Sequence, residues 1–251
     1  MAHPVQVIAH RGASAEAPEN TLAAFHLAWD IGADAIECDV HLSKDDQLVV
    51  IHDDDTLGTT GKPGLVRAQT LEELRELDAG WKKGDAFRGE RIPLLAEVLA
   101  TLPVDGRIFI EIKCGMESIE PLVGELEKVA LTPKQTLLMS FNHELMSALR
   151  LRLPDYPVGW LFDAPGRSQT PQDIEEVLRL VTGAGVNFLG LSSEWPLEAT
   201  MIERIHAAGL QAYLWTVDST TRARELISAG VDGLITNRPR EIIAECLPDH
   251  E

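Results

Sequence analysis

The chain has 251 residues, of which 22 are Lys or Arg and 40 are Asp or Glu, so its formal net charge is −18 at pH 7. Such an acidic surface repels nucleic acid and anionic lipid, and we expect neither nucleic-acid binding nor stable membrane association. Three cysteines without CxxC spacing argue against a disulfide framework or a zinc knuckle. The sequence has no apolar run of the roughly 18 residues that span a bilayer and no secretory signal pattern, and it therefore predicts a cytoplasmic protein.

Strand-like runs and helical patterns alternate from the start of the chain. A first strand, Val5–Ala9, precedes an amphipathic helix, Thr21–Ile31, for which Asn20 is the predicted N-cap. A second strand, Ala35–Val40, is followed by a turn and by Gln47–Ile51, which predicts a hairpin extension of that strand.

Residues 53–93 interrupt this alternation. The segment is rich in Asp, Gly and Pro, and only Leu71–Leu77 has a helical pattern. We interpret it as a small insertion after strand 2 rather than as a separate domain. The alternation then resumes with helices Leu94–Leu102, Ile119–Ala130, His143–Leu153, Pro171–Gly183, Glu198–Ala208, Thr220–Ala229 and Pro239–Cys246, and with strands Arg107–Lys113, Thr136–Ser140, Val158–Phe162, Phe188–Leu191, Gln211–Thr216 and Gly233–Thr236.

The complete pattern contains eight strands and eight helices. Repeated βα units imply a parallel sheet, and eight of them favour a closed (β/α)8 TIM barrel over an open doubly wound sheet. Because such a barrel takes about 250 residues, we predict that residues 1–251 form a single catalytic domain that carries the insertion at 53–93.

Polar side chains cluster at the carboxyl ends of the predicted strands, where (β/α)8 barrels place their active sites. Side chains alternate faces along a strand, so Glu37 and Asp39 point the same way. Two neighbouring carboxylates repel each other unless a cation lies between them. Together with Glu111 they would form an all-oxygen site suited to one divalent cation, Mg²⁺ or Ca²⁺, whereas zinc is disfavoured because the nearby histidine nitrogens are needed elsewhere.

Two histidines, His10 and His52, end predicted strands beside this carboxylate cluster. Two imidazoles near a cation indicate acid–base catalysis on a phosphodiester, with one taking a proton from the attacking oxygen and the other protonating the leaving alkoxide. Which histidine has which role stays open. Arg11 and Lys113 are expected to neutralise the non-bridging phosphate oxygens.

Four further residues are predicted to contribute to the site or to support it. Phe141 and Trp215 follow or end strands and are candidates for substrate contact. Glu19 is expected to orient Arg11 or to support the Asn20 cap. Asp53, directly after the second catalytic histidine, is expected to orient that histidine.

These residues occur in motifs that resemble those of the glycerophosphodiester phosphodiesterases, and the match covers nearly the whole chain. The motifs are Ala9-His10-Arg11-Gly12, Ala17-Pro18-Glu19-Asn20-Thr21, Ile36-Glu37-Cys38-Asp39-Val40, His52-Asp53, Glu111-Ile112-Lys113 and Leu214-Trp215-Thr216-Val217. The resemblance implies that the two histidines form the acid–base pair, that Arg11 binds phosphate and that the three carboxylates bind the metal. It also implies attack of the glycerol 2-hydroxyl on phosphorus, expulsion of an alcohol and hydrolysis of the cyclic phosphate to sn-glycerol 3-phosphate.

Several alternatives follow from the same residues. A related diesterase acting on lysophospholipids or other alkyl phosphodiesters would need a membrane-facing apolar patch or anchor, and this acidic sequence shows neither. A non-catalytic phosphodiester-binding scaffold would have lost a catalytic histidine or a metal ligand, whereas all of them are present. Asn237 departs from the family, which more often has Asp after Thr at this point, and we expect only a peripheral contact there. The head-group preference is open, as are the cation's identity and the choice between monomer and homodimer.

Overall fold

A computed structural model describes residues 5–129, 131–165 and 173–247 of the chain. Its strands are β1 (Gln6–His10), β2 (Ala35–Leu42), β3 (Leu48–Val50), β4 (Arg107–Ile112), β5 (Thr136–Ser140), β6 (Val158–Phe162), β7 (Phe188–Ser192), β8 (Gln211–Trp215) and β9 (Gly233–Thr236). Strand β1 pairs in parallel with both β2 and β9, and this pairing closes eight parallel strands into a barrel. Strand β3 is antiparallel to β2 and lies outside the ring. The predicted (β/α)8 barrel and its hairpin extension are confirmed.

The helices that follow the barrel strands match the predicted ones; the last two have the predicted bounds, and the others are shorter by one to several residues at their ends. The helices are α1 (Leu22–Ile31), α2 (Leu57–Thr60), α3 (Leu71–Arg75), α4 (Leu95–Leu99), α5 (Ile119–Lys128), α6 (His143–Arg152), α7 (Ile174–Val181), α8 (Ala199–Ala207), α9 (Thr220–Ala229) and α10 (Pro239–Cys246). Ala130 and Pro171, at the ends of two predicted helices, lie outside the described residues. None of the helices in the described part of the chain is long and apolar enough to cross a membrane.

The interior of the barrel is filled by apolar side chains, and each of the eight ring strands contributes at least one. The cluster comprises Ile8, Ala35, Phe109, Leu137, Met139, Leu161, Phe188, Tyr213 and Ile235. Its centre is aromatic: the ring centroid of Phe109 lies 4.9 Å from that of Tyr213 and 5.8 Å from that of Phe188. Glu37 and Asp39 lie two and four residues after Ala35 along β2, so all three side chains are on the same face of the strand. The two carboxylates therefore face the barrel interior nearer the carboxyl ends of the strands.

The predicted N-cap of the first helix is wrong by one residue. Thr21, not Asn20, caps α1, and its side chain accepts a hydrogen bond from the Ala24 backbone N–H. Asn20 adopts a left-handed conformation, with φ of 57°, and its side-chain amide binds Asp39. The asparagine is therefore used for a long-range contact with β2 and is not available to the helix.

The insertion at 53–93 contains α2 and α3, of which only α3 falls in the predicted helical stretch. Three short 3₁₀ turns accompany them, at Val66–Ala68, Trp81–Lys83 and Asp85–Phe87. Apolar residues of the insertion, Leu74 and Ile92 among them, form a small cluster with the hairpin strand β3. The Lys83 ammonium donates to the backbone carbonyls of Ser14, at 2.6 Å, and of the next residue along the chain. These contacts hold the insertion against the loop that follows β1.

Candidate active site

The predicted site residues converge at the carboxyl ends of the barrel strands, around a cavity of about 190 Å³. This cavity, the catalytic cavity below, is lined by His10, Arg11, Glu37, His52, Glu111, Lys113, Met139, Phe141, Leu161, Trp215, Thr216 and Ile235. Asp39 is fully buried and lies among these residues through its ion pairs. The polar residues Ser192, which ends β7, and Ser193, which follows it, do not line the cavity.

Three carboxylates form the most acidic part of the site. Asp39 and Glu111 are register partners on the neighbouring strands β2 and β4, and Glu37 lies two residues before Asp39 on the same face. One oxygen from each of the three lies within 4.8 Å of the others. Glu37 and Asp39 are 1% and 0% exposed, so water does not screen their mutual repulsion.

Burial and neighbouring charges set the protonation of this cluster. Burial, Asp39 and Glu111 hold the pKa of Glu37 well above its usual range. Burial and Asp39 raise the pKa of Glu111 to about 7, although the Lys113 ammonium lies only 2.7 Å from its Oε1. Burial also acts to raise the pKa of Asp39, but Arg11 and Lys113 outweigh it and lower that pKa.

The donor set fits a hard divalent cation. Glu37 Oε1 and Asp39 Oδ1 are buried and accept no hydrogen bond from the described residues, and Asp39 Oδ1 has only the Lys113 ammonium, 3.3 Å away, as an ion-pair partner. A buried carboxylate oxygen without a hydrogen bond is costly, and three carboxylates around one point are the ligands that Mg²⁺ and Ca²⁺ prefer. Glu37, Asp39 and Glu111 are thus the residues that could hold such an ion.

Arg11 is positioned by the turn that follows β1. Its Nε lies 3.1 Å from Asp39 Oδ2 and its Nη1 lies 3.2 Å from Glu19 Oε1, so Glu19 contacts the arginine as predicted. The turn depends on Gly12, which has φ of 78°. A Cβ at this position would lie 2.6 Å from the backbone of Ala24 in α1. Glycine is therefore required for the helix to pack against this turn.

The two predicted catalytic histidines differ in their surroundings. His10 Nδ1 lies 2.8 Å from Asn237 Oδ1, and its Nε2 lies 4.0 Å from Glu37 Oε2. Burial, helped by Arg11, lowers the pKa of His10 to about 4. His52 is about one-third exposed, and its Nδ1 lies 2.8 Å from Asp53 Oδ1, the contact predicted for Asp53.

Two contacts of these histidines were not predicted from the sequence. Asn237 contacts His10 directly, so the expectation of a peripheral contact at Asn237 is wrong. His41 lies on the same face of β2 as the carboxylate pair, and its Nε2 lies 3.1 Å from the backbone oxygen of His52. The alternation of side chains along β2 was the signal that could have identified His41.

An aromatic and apolar wall faces the charged residues across the catalytic cavity. The rings of Phe141 and Trp215 pack edge to face with centroids 5.5 Å apart. The Trp215 Nε1–H is buried and has no hydrogen-bond partner among the described residues. The wall can thus contact apolar atoms and still offer one donor.

A second cavity, of about 320 Å³, adjoins the first and shares Arg11 and His52 with it. The insertion forms one side of this cavity with Thr59, Lys82 and Lys83. We call it the insertion cavity. It is more polar than the catalytic cavity and has no Phe, Tyr or Trp in its lining.

Known proteins match both the sequence and the fold. The sequence profile of the Glycerophosphoryl diester phosphodiesterase family matches residues 10–241. A glycerophosphodiester phosphodiesterase from Caldanaerobacter subterraneus subsp. tengcongensis is 37% identical over 241 residues, which cover 94% of this chain and 96% of that protein. A lysophospholipase D from Homo sapiens is 28% identical over 264 residues, which cover 94% of this chain and 84% of that protein. The structure of a phosphodiesterase from Oleispira antarctica in complex with the product sn-glycerol-3-phosphate matches with a TM-score of 0.84, at 30% identity and 96% coverage of each chain.

Proposed function

Since the chain belongs to the glycerophosphoryl diester phosphodiesterase family and is a hydrolase of glycerophosphodiesters, we propose that His10 and His52 perform this hydrolysis beside one divalent cation. The family and the enzyme class predicted from the sequence motifs are confirmed. The products of the proposed reaction are sn-glycerol 3-phosphate and an alcohol. The single observation that carries the proposal is that both histidines, the positively charged side chains of Arg11 and Lys113, and three buried carboxylates lie together at one cavity.

Glu37, Asp39 and Glu111 would hold the cation, Mg²⁺ or Ca²⁺. A divalent cation bound there supplies Lewis-acid stabilisation of negative charge on a phosphate oxygen. Arg11 and Lys113 line the same cavity and would bind the remaining phosphate oxygens. The Arg11 and Lys113 side chains both form ion pairs with Asp39, and these ion pairs hold their positive charges beside the cavity.

The two histidines would move the protons of the reaction. In the first step the glycerol 2-hydroxyl loses its proton to one imidazole and attacks phosphorus, while the other imidazole protonates the leaving alcohol. In the second step water attacks the cyclic phosphate and the two imidazoles exchange roles. One water is consumed, and both histidines return to their starting protonation states.

We propose an orientation for the substrate from the shape of the site. We place the glycerol moiety against Phe141 and Trp215, where the free Nε1–H of the tryptophan could bind a hydroxyl. The alcohol would extend into the insertion cavity, which meets the catalytic cavity at His52. This places the insertion over the head group. The lining of the insertion cavity carries Lys82 and Lys83 together with the carboxylates of Glu19 and Asp53. It therefore favours a hydroxylated head group over a quaternary ammonium, since aromatic rings bind the latter.

A lysophospholipase D activity is the second candidate. It is favoured by the apolar wall of the catalytic cavity, where Met139, Leu161 and Ile235 lie beside the aromatic pair, and by the human relative of that name. Its substrate would place an acylated glycerol against this wall. Activity on lysophospholipids that exceeds activity on deacylated glycerophosphodiesters would favour this candidate.

The test couples release of glycerol 3-phosphate to a dehydrogenase, with a panel of glycerophosphodiesters, EDTA, and add-back of Mg²⁺ or Ca²⁺. We expect His10→Ala and His52→Ala each to lower kcat by about 10²–10⁴-fold, the usual contribution of a general acid or base. His26→Ala is the matched control, because His26 is exposed on α1. Activity that persists in EDTA, or histidine variants that behave like the control, would contradict the proposal.

Two other sequence predictions stay proposals. A cytoplasmic location is supported by three unpaired cysteines, Cys38, Cys114 and Cys246. The small-molecule substrate follows from the family, while monomer and homodimer both remain compatible with the proposed chemistry.

A further inference from the structure

Two residues outside the predicted site hold His10 through a chain of hydrogen bonds. We propose that Asn237 and Asp218 are positioning residues that keep the His10 proton on Nδ1 and the lone pair on Nε2, so that His10 accepts the proton of the attacking hydroxyl. This inference rests on the proposed function and adds a direction of proton transfer to it.

The orientation of the Asn237 amide follows from its partners. Its Nδ2 lies 2.7 Å from Asp218 Oδ2, and a carboxylate can only accept, so the NH₂ group faces Asp218. The amide oxygen must then face His10, whose Nδ1 lies 2.8 Å away. The Ser14 hydroxyl lies 2.8 Å from the same oxygen and 2.7 Å from the backbone oxygen of His10, and its single proton can be donated to only one of them, so the amide orientation rests on the contact with Asp218. An acceptor opposite Nδ1 requires a proton on Nδ1.

Asp218 is itself fixed by three donors. Besides the Asn237 side chain, the Asn237 backbone N–H donates to Asp218 Oδ1 at 2.8 Å, and the Thr236 hydroxyl donates to the same oxygen at 3.1 Å. Turning the Asn237 amide over would place its oxygen against this carboxylate. The repulsion would make that rotamer unfavourable, and the amide therefore keeps one orientation.

The free nitrogen of His10 faces the catalytic cavity. Its Nε2 is 4.0 Å from Glu37 Oε2, too far for a hydrogen bond, so the lone pair is available to a substrate hydroxyl. His52 differs, because its Nδ1 partner is the carboxylate of Asp53. A carboxylate stabilises an imidazolium by a charge-assisted hydrogen bond, whereas the partner of His10 is a neutral amide.

This difference assigns the first step. The proton of the glycerol 2-hydroxyl moves to His10 Nε2, a bond forms between that oxygen and phosphorus, and the bond from phosphorus to the alcohol oxygen breaks. His52, as the imidazolium, gives its proton to the departing oxygen. His10 gives its proton back, and His52 takes one from water, when the cyclic phosphate is hydrolysed.

The direct test is ¹⁵N NMR of the histidine side chains in the intact protein at neutral pH. Protonated and unprotonated ring nitrogens of neutral imidazole resonate in separate regions, and His10→Gln identifies the His10 signals. We expect wild-type His10 to be the single Nδ1–H tautomer. An Nε2–H tautomer or a mixture in the wild type would overturn the inference.

Variants test the chain kinetically. Asn237→Leu is expected to lower kcat by about 10–100-fold, the usual effect of removing the residue that orients a catalytic group, with KM nearly unchanged because only the reacting proton is affected. It should also mix the His10 tautomers. Asn187→Ala is the matched control. Asn187 accepts a hydrogen bond from the Val158 N–H at the start of β6 and directly precedes β7, at the amino ends of the strands, whereas His10 lies at the carboxyl end of β1. A kcat loss no larger than in the control would overturn the inference.

Exchanging the two side chains provides a rescue. Asn237→Asp alone would place two carboxylates about 2.7 Å apart, and we expect it to lose activity. Adding Asp218→Asn restores one donor and one acceptor at that contact and should recover the Nδ1–H tautomer, which is the readout of this rescue because a carboxylate then faces His10 in place of the neutral amide. If the wild type showed no phosphodiesterase activity, the proposed function would fail, while the tautomer measurement would still decide the positioning role.

Discussion

Neutralising Glu37 and neutralising Asp39 should change the stability of the cation-free protein in opposite directions, although the two residues share one face of β2. Glu37→Gln removes a buried carboxylate that faces two others and keeps an acceptor for the Arg11 backbone N–H, 2.9 Å away. Asp39→Asn removes the negative charge that Arg11 and Lys113 share. Both substitutions preserve the size of the side chain.

The distances give the size of each effect. Two unit charges at the 4.8 Å limit of the carboxylate cluster repel by about 3 kcal/mol at an effective dielectric constant of about 20. Burial, Asp39 and Glu111 raise the pKa of Glu37, while the charge of Arg11 and its backbone N–H offset part of this effect, so we expect Glu37→Gln to gain only about 1–2 kcal/mol. Breaking a buried ion pair costs about 3–5 kcal/mol. Asp39→Asn also removes the repulsion between Asp39 and the other two carboxylates, which offsets part of that cost. We therefore expect it to lower the free energy of unfolding by about 2–3 kcal/mol.

The assay is urea unfolding at pH 8 in EDTA, repeated with Mg²⁺ or Ca²⁺. Glu203→Gln is the matched control, an exposed glutamate on α8. The wild type should gain about 2.7 kcal/mol when the cation is present at 100 times its Kd. Both site variants should lose most of this gain, since each removes a proposed ligand.

Two results would refute this reasoning. If Glu37→Gln destabilised the EDTA-treated protein as much as Asp39→Asn, the carboxylates would not be repelling one another as their distances imply. If Glu37→Gln kept the full stabilisation by cation, Glu37 would not be a ligand.

Three further outcomes are expected. Burial, helped by Arg11, lowers the pKa of His10 from 6.5 to about 4, so between these values the unfolded chain binds a proton that the folded chain does not. The free energy of unfolding of wild type relative to His10→Gln should thus rise by about 3 kcal/mol from pH 4 to 6.5 and then level off, and a flat difference in urea titrations would contradict this. Gly12→Ala should lower the unfolding free energy by more than about 1 kcal/mol, because the residue has positive φ and its Cβ would overlap Ala24; a melting temperature equal to wild type would count against the packing argument. Lys82→Glu should lower kcat/KM for glycerophosphoinositol more than for glycerophosphocholine, and equal losses would show that the head group does not enter the insertion cavity.

The sequence was sufficient for the barrel because each βα unit carries its own pattern. Strands such as β4 are short apolar runs, each helix has an apolar face, and their eightfold repetition has few other packing solutions. The metal-ligand candidates could be grouped for the same reason. Glu37 and Asp39 lie two residues apart on one strand, and the carboxyl ends of parallel strands meet at one edge, which brings in Glu111.

The partners of those residues could not be derived from local pattern. The position of Asn20 in the sequence is typical of a helix N-cap. Only the tertiary structure, which brings β2 close to the loop before α1, allows its side chain to donate a hydrogen bond to Asp39. His41 was not predicted because its contact is with a backbone oxygen, that of His52, which follows the hairpin strand β3.

The sequence by itself therefore determined the barrel, the order of its strands and the residue types at their carboxyl ends, since periodicity and strand-end position are local properties. Only the tertiary structure decided which atom faces which. Asn237 meets His10 across 227 positions of the chain because closure of the barrel makes β1 and β9 neighbours. The direction of the Asn237 amide depends on Asp218, from the end of another strand. Contacts of this kind depend on register and side-chain rotamers, and these are fixed only when the ring of strands is closed and packed.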